Sequence, residues 1–159
     1  MKPEERLGVL LREKGLKLAV AESCTGGLIA SRVTDVAGSS DYFNAGVVSY
    51  SNEAKQRLLS VPAASIESYG AVSKEVAQEM AEGVRAAIGA DIGLSVTGIA
   101  GPTGGSPEKP VGTVYIGLAT GTGAFVKKFQ FKGERPDIKS QTSTEALQFA
   151  IDFLEGHVA

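Results

Sequence analysis

Four short stretches carry residues able to do chemistry. The first is Glu22-Ser23-Cys24-Thr25-Gly26-Gly27, set between the apolar run Leu18-Ala19-Val20-Ala21 and a helical segment from Leu28 to about Val36. A strand that runs into a helix start leaves backbone N–H groups free, and these attract anions and can hold an oxyanion. Ser23 or Cys24 placed there is a nucleophile aimed at such a hole. The plainer reading is that the hydroxyls only cap the helix. Glu22 can hydrogen-bond to the loop or face a ligand. The second stretch is Gly46-Val47-Val48-Ser49-Tyr50-Ser51-Asn52-Glu53-Ala54-Lys55, with Tyr50 at a strand end and Lys55 about a turn into the next helix. A lysine is a general base only when neutral, and moving its pKa from ~10.4 to ~7–8 requires burial or cationic neighbours. Otherwise Lys55 is a solvated helix lysine and Tyr50 an amphipathic edge residue.

The third stretch is Ser95-Val96-Thr97-Gly98-Ile99-Ala100-Gly101-Pro102-Thr103-Gly104-Gly105. A glycine-rich loop after a strand lets backbone amides approach a phosphate closely. It lacks the Lys-Ser/Thr pair of a P-loop and the G-x-G-x-x-G spacing of a dinucleotide fold. The fourth, Gly133-Glu134-Arg135-Pro136-Asp137-Ile138-Lys139, brings cations to the start of the last helix, where charges ordinarily form a solvated face.

These stretches need elements to position them. Leu7, Leu10, Leu11 and Lys14 fall on one helical stripe that Gly15 can close. Leu18 to Ala21 reads as a buried strand, and Ala45 to Ser49 as a second. Gly38-Ser39-Ser40 is a turn, and Asn52 can cap a helix over Glu53 to Leu59. Ser73 opens a helix whose apolar face is Val76, Met80, Val84 and Ile88. Ile92, Leu94 and Val96 alternate with Gly93, Ser95 and Thr97, which reads as a third strand. Gly98 to Pro110 is a loop. Val111 to Ala119 and Phe125 to Phe131 are strands of a hairpin around Thr120-Gly121-Thr122-Gly123. A closing helix runs roughly from Pro136 to Glu155. Helices interleaved with apolar strands predict an α/β fold, a three-layer α/β/α sandwich with a mixed, roughly five-stranded sheet.

Bulk properties limit the function. At 159 residues the chain suits a single domain, 1–159, and 43% hydrophobic with 21% charged residues is a globular balance. A net charge of −2 gives no basic field for nucleic acid. With Cys24 as the one cysteine, a disulfide or a cysteine-based zinc site within the chain is excluded. Met1 to Lys14 is charged and lacks the apolar stretch of a signal peptide, and no run is long enough to span a bilayer. A cytoplasmic protein with no membrane partner is expected. The single histidine, His157, lies near the carboxy terminus, so a catalyst here needs another base.

No one stretch decides the function, but their ordered combination is specific. Ala21-Glu22-Ser23-Cys24-Thr25-Gly26-Gly27, Val36-Ala37-Gly38-Ser39-Ser40, the block from Gly46 to Lys55, Gly70-Ala71-Val72-Ser73, Thr97-Gly98-Ile99-Ala100-Gly101-Pro102 and Lys109-Pro110-Val111-Gly112-Thr113-Val114 occur in that order. Together, from about Leu7 to Leu154, they resemble the CinA carboxy-terminal domain family, whose stand-alone members are nicotinamide-nucleotide amidases. Larger members carry an additional amino-terminal domain, and its activity is not carried over here. The resemblance implies hydrolysis of the carboxamide of nicotinamide mononucleotide, with Ser23 as nucleophile and Lys55 and Tyr50 as its partners, Tyr50 passing or orienting a proton between them. It further implies an oxyanion held by N–H groups around Cys24, Thr25 and Gly26, and substrate contacts at Thr97, Gly98, Gly101, Arg135 and Lys139. No cofactor or metal, and a homodimer, are implied as well. At the place of Lys139 the family often has arginine; lysine keeps the charge but lacks the bidentate fork. Cys24 is a rival nucleophile, or a small buried hydrophobe. Two other functions compete. Short-chain dehydrogenases also use Ser, Tyr and Lys, but the Tyr50–Lys55 spacing is one residue too wide and the nucleotide-binding glycines are missing. A non-catalytic nucleotide-binding or competence/damage-linked adaptor is the other.

Overall fold

The computed structural model describes residues 1–158. Its helices are α1 (Pro3–Lys14), α2 (Leu28–Thr34), α3 (Asn52–Leu59), α4 (Ala63–Tyr69), α5 (Lys74–Ile88) and α6 (Arg135–Leu154). Its strands are β1 (Leu18–Glu22), β2 (Phe43–Val48), β3 (Ile92–Gly98), β4 (Thr113–Thr120) and β5 (Gly123–Gln130). They form one mixed sheet in the order β2-β1-β3-β4-β5. The β1–β2 and β1–β3 pairs are parallel, whereas β3–β4 and β4–β5 are antiparallel.

Alternation along β1 builds two cores at once. Leu18 and Val20 join Leu7, Leu11, Ile29 and Leu147 beneath α1, α2 and α6. Ala19 and Ala21 face Val76, Met80 and Val84 of α5. A strand covered on both faces reads as an unbroken apolar run, as Leu18 to Ala21 does. Each large aliphatic side chain buried in this way contributes about 1.5–3 kcal/mol. On β3 the same alternation sorts residues by size. Ile92, Leu94 and Val96 fill the first core. Gly93, Ser95 and Thr97 face the second, where α5 lies so close that a Cβ on Gly93 would strike the Ala81 carbonyl. The layers are therefore α1/α2/α6, sheet and α3/α4/α5, the three-layer sandwich that the patterning predicts.

Several boundaries differ from expectation. Ser51, not Asn52, caps α3: its Oγ accepts the Ala54 N–H at 3.0 Å. Helix α2 stops at Thr34 rather than Val36. The hairpin strands begin at Thr113 and Gly123, although just before Thr113 the Gly112 N–H already donates to the Ile99 carbonyl and the Ile99 N–H to the Thr113 carbonyl. Helix α4 has no counterpart in the pattern because it buries no residue, so no apolar stripe marks it. Among the described residues no helix is long and apolar enough to cross a membrane.

Candidate active site

The sheet order makes β1 a switch point: from it the chain passes first to β2 on one side and later to β3 on the other. Ligands of open α/β sheets bind outside the carboxyl ends of the strands at such a point. Ser23 follows directly on β1, Ser49 and Tyr50 follow β2, and Thr97 and Gly98 end β3. Around these ends lies a cavity of about 260 Å³, walled by Ser23, Cys24, Tyr50, Lys55, Thr97, Gly98, Gly101 and Arg135. A larger groove of about 620 Å³ lies beside Tyr69, Lys74, Tyr115 and Lys128, but it holds no nucleophile paired with a base.

Lys55 is 1% exposed. The first turn of α3 turns its chain inward, and Nζ ends 2.9 Å from Ser23 Oγ, 2.9 Å from the Ser49 carbonyl and 3.3 Å from the Tyr50 carbonyl. No carboxylate forms an ion pair with it among the described residues. Burial therefore pulls its pKa from 10.5 down to about 8. In the neutral form the two N–H bonds serve the two carbonyls, and the lone pair faces the Ser23 hydroxyl. Chemically, such an arrangement can take a proton from the serine.

Tyr50 sits elsewhere than a relay would require. Its carbonyl, not its hydroxyl, meets Lys55. The ring is exposed, and the hydroxyl accepts from Arg135 Nη2 at 2.7 Å, while Arg135 Nη1 donates to the Gly101 carbonyl at 2.7 Å. Arg135 thus spans the rim from the strand end to the glycine loop. Lys55 reaches Ser23 without an intermediary.

Cys24 lines the cavity but is 5% exposed, and burial pushes its thiol up to about 11. Its sulfur packs against the Gly98 backbone, where an added Cβ would lie 3.1 Å away. A thiol held protonated at neutral pH is a poor nucleophile.

The turn after Ser23 holds a feature that the residue types left open. Glu22 is fully buried, and its carboxylate accepts from Thr25 Oγ1 and from the N–H groups of Gly27, Ile29 and Ala30. The start of α2 is therefore already occupied by an anion, and Glu22 does not face the cavity. The Gly26 N–H donates to the Ser23 carbonyl at 3.1 Å, so it is not free for an oxyanion. Among the described residues the N–H groups of Cys24 and Thr25 meet no backbone acceptor. Gly26 and Gly27, at φ 62° and 106°, take the left-handed conformations that close this turn.

Of the remaining residues singled out in the sequence, Thr97 lines the cavity with its hydroxyl donating to the Ala71 carbonyl at 2.8 Å. The Thr25 side chain points to Glu22, and Gly26 and Lys139 do not line the cavity. Lys139 Nζ nevertheless lies over Gly26, 3.8 Å from where a Cβ would sit. His157 lies beyond the far end of α6, a helix about 30 Å long that starts at Arg135. Ser49 is the residue that motif reading passed over: fully buried, it offers Lys55 a carbonyl. The signal was a polar residue closing an apolar strand.

The CinA C-terminal domain model matches residues 1–154. The chain belongs to this family. A CinA-like protein of Geobacter sulfurreducens is 60% identical over 140 residues, covering 88% of this chain and 34% of that protein. A CinA-like protein of Citrifermentans bemidjiense is 58% identical over 151 residues, covering 95% of this chain and 36% of its own length. The chain thus spans about a third of the length of these curated relatives. Among solved structures, a CinA superfamily protein from Klebsiella pneumoniae superposes with a TM-score of 0.93 at 31% identity, covering 98% of this chain and 99% of that one. A competence/damage inducible protein from Agrobacterium tumefaciens gives 0.90 at 38% identity, over 96% and 95% of the two chains. Nearly the whole of this CinA domain therefore has solved counterparts, and the Ser23–Lys55 pair is part of its cavity wall.

Proposed function

We propose that the chain is an amidohydrolase that converts the carboxamide of nicotinamide mononucleotide to a carboxylate, releasing ammonia. What supports this reading above all is the Ser23–Lys55 pair, 2.9 Å apart, with the lysine buried and, among the described residues, in no ion pair with a carboxylate. Ser23 Oγ attacks the amide carbon as its proton passes to Lys55. The oxyanion lies against the Cys24 and Thr25 N–H groups. Lys55 returns the proton to the departing nitrogen, ammonia leaves, and an acyl-serine remains. Water then attacks that ester, Lys55 takes its proton and passes it to the Ser23 oxygen, and nicotinic acid mononucleotide departs. Arg135, which lines the cavity and holds the Gly101 carbonyl, offers the substrate phosphate a cation beside the Gly98–Gly101 loop. Lys139, four residues on and on the same face of α6, adds positive charge over Gly26, outside the cavity wall.

The purified protein is expected to release ammonia from nicotinamide mononucleotide in equal amount to the nicotinic acid mononucleotide formed, measured by coupled glutamate dehydrogenase and by chromatography. Folded protein that releases none overturns the amidase reading and favours a binding module. The proton path has its own test. Because Lys55 touches Ser23 directly, Tyr50→Phe is expected to cost less than about tenfold in kcat, with KM raised through the loosened Arg135. A loss of a thousandfold in kcat would return the phenol to the proton path.

A further inference from the structure

We infer that Glu22 is a positioning residue for the reaction, one whose buried carboxylate sets the geometry of Ser23 and whose main chain registers the base. The inference rests on Ser23 being the reacting group. A helix start is ordinarily served by a short side chain at the N-cap, at little cost. Here the N-cap is Gly27, which has none, and the work falls to a carboxylate five residues earlier, fully buried and without an ion-pair partner among the described residues. Burying an uncompensated charge is unfavourable unless hydrogen bonds satisfy it. Four do: Oε1 accepts from Thr25 Oγ1 at 2.5 Å, Gly27 N at 3.2 Å and Ile29 N at 3.0 Å, and Oε2 accepts from Ala30 N at 2.9 Å.

The arrangement ties the last residue of β1 to the first turn of α2. Everything between them, Ser23 to Gly26, is closed into one shape. The Glu22 carbonyl meanwhile accepts from Ser49 N at 2.8 Å and from Ser49 Oγ at 3.2 Å. Ser49 in turn gives its carbonyl to Lys55. Nucleophile and base are thus referenced to the same residue, one through its side chain and the other through its backbone. By taking the α2 N–H groups, the carboxylate also leaves Cys24 and Thr25 as the turn's unpaired donors. It removes the α2 start as a phosphate site and so leaves that group to Arg135 of α6, which lines the cavity.

The test reads Ser23 itself and needs no substrate. Phenylmethylsulfonyl fluoride forms an oxygen–sulfur bond with a serine hydroxyl as fluoride leaves, and the added mass reports the rate. In Glu22→Gln the amide keeps one acceptor but turns a donor toward an N–H group. Labelling of Ser23 per folded molecule is expected to slow at least tenfold. Glu4→Gln is the control: Glu4 is another buried carboxylate, paired with Arg32 at 2.7 Å away from the cavity. It should lose thermal stability yet label at the wild-type rate. Where turnover is measured, Glu22→Gln lowers kcat and holds KM. If Glu22→Gln labels within twofold of Glu4→Gln, the carboxylate is only a helix cap and the inference is overturned. If Glu22→Gln does not fold, Thr25→Val removes one donor and spares the charge: about threefold slower labelling supports the inference, and an unchanged rate overturns it. Wild-type protein that labels at no site or at another residue removes the nucleophile and the inference together. Protein that labels at Ser23 but leaves nicotinamide mononucleotide intact overturns only the amidase reading.

Discussion

Ser23→Ala is expected to lower ammonia release from nicotinamide mononucleotide by roughly 10³–10⁶-fold, the scale seen when a nucleophile that works with its base is deleted. Cys24→Ala should stay within about tenfold of wild type. The contrast follows from the two environments. Ser23 Oγ has Lys55 Nζ at 2.9 Å to take its proton. The Cys24 thiol, pushed up to about 11 by burial, makes no hydrogen bond to a base among the described residues, and its sulfur packs against Gly98. Cysteine is the better nucleophile only as the thiolate, and burial withholds that form. Removing the sulfur leaves a small gap in the first core, so a modest loss of stability should accompany Cys24→Ala. The measurement is initial ammonia release by both variants at equal folded concentration. A dead Cys24→Ala beside an active Ser23→Ala would keep the fold and the cavity but reverse the nucleophile.

How much of this site could be read beforehand depends on what kind of information each residue carries. Ser23 follows directly on the apolar strand β1, and Lys55 stands in the first turn of the helix that follows β2, so the neighbouring ends of two strands bring them together. The fold class follows from the same pattern of strands and helices. What cannot be read is direction within a turn. Tyr50 lies closer in sequence to Lys55 than Ser23 does, yet its hydroxyl goes to Arg135, 85 residues away, and its carbonyl to the lysine. Glu22 could face a ligand or the loop, and only the four N–H and O–H donors gathered by the turn decide for the loop. Gly26 was a natural oxyanion donor by position, but the turn spends its N–H on the Ser23 carbonyl. Helix α4 shows the other limit. It buries no residue fully and sets only Ile66 against the second core, and one apolar contact makes no period.

Lys55→Met should cost at least about a thousandfold in kcat, as loss of a base that shares a proton with its nucleophile does. The wild-type pH profile is the sharper reading. Burial holds the Lys55 pKa at about 8. Protonated Lys55 has no lone pair for the Ser23 proton, so kcat/KM should fall about tenfold per pH unit below that value and level off above it. Stability carries the same signature. Between about pH 8 and ~10.4 the folded lysine is neutral while the unfolded one stays protonated. The unfolded state then binds more protons, and the contribution of Lys55 to stability rises with pH across that window. Below about pH 8 both states are charged, and the buried ammonium weighs against folding in full. The Cys24 thiol acts in the opposite sense above pH 9, because the fold keeps it protonated up to about 11. The comparison is therefore wild type against Lys55→Met by denaturant unfolding at pH 7 and pH 9. Lys55→Met should be the more stable at pH 7, by an amount that shrinks at pH 9. An advantage that does not shrink, or a kcat/KM flat from pH 6 to 9, would mean that Lys55 is not the base at Ser23.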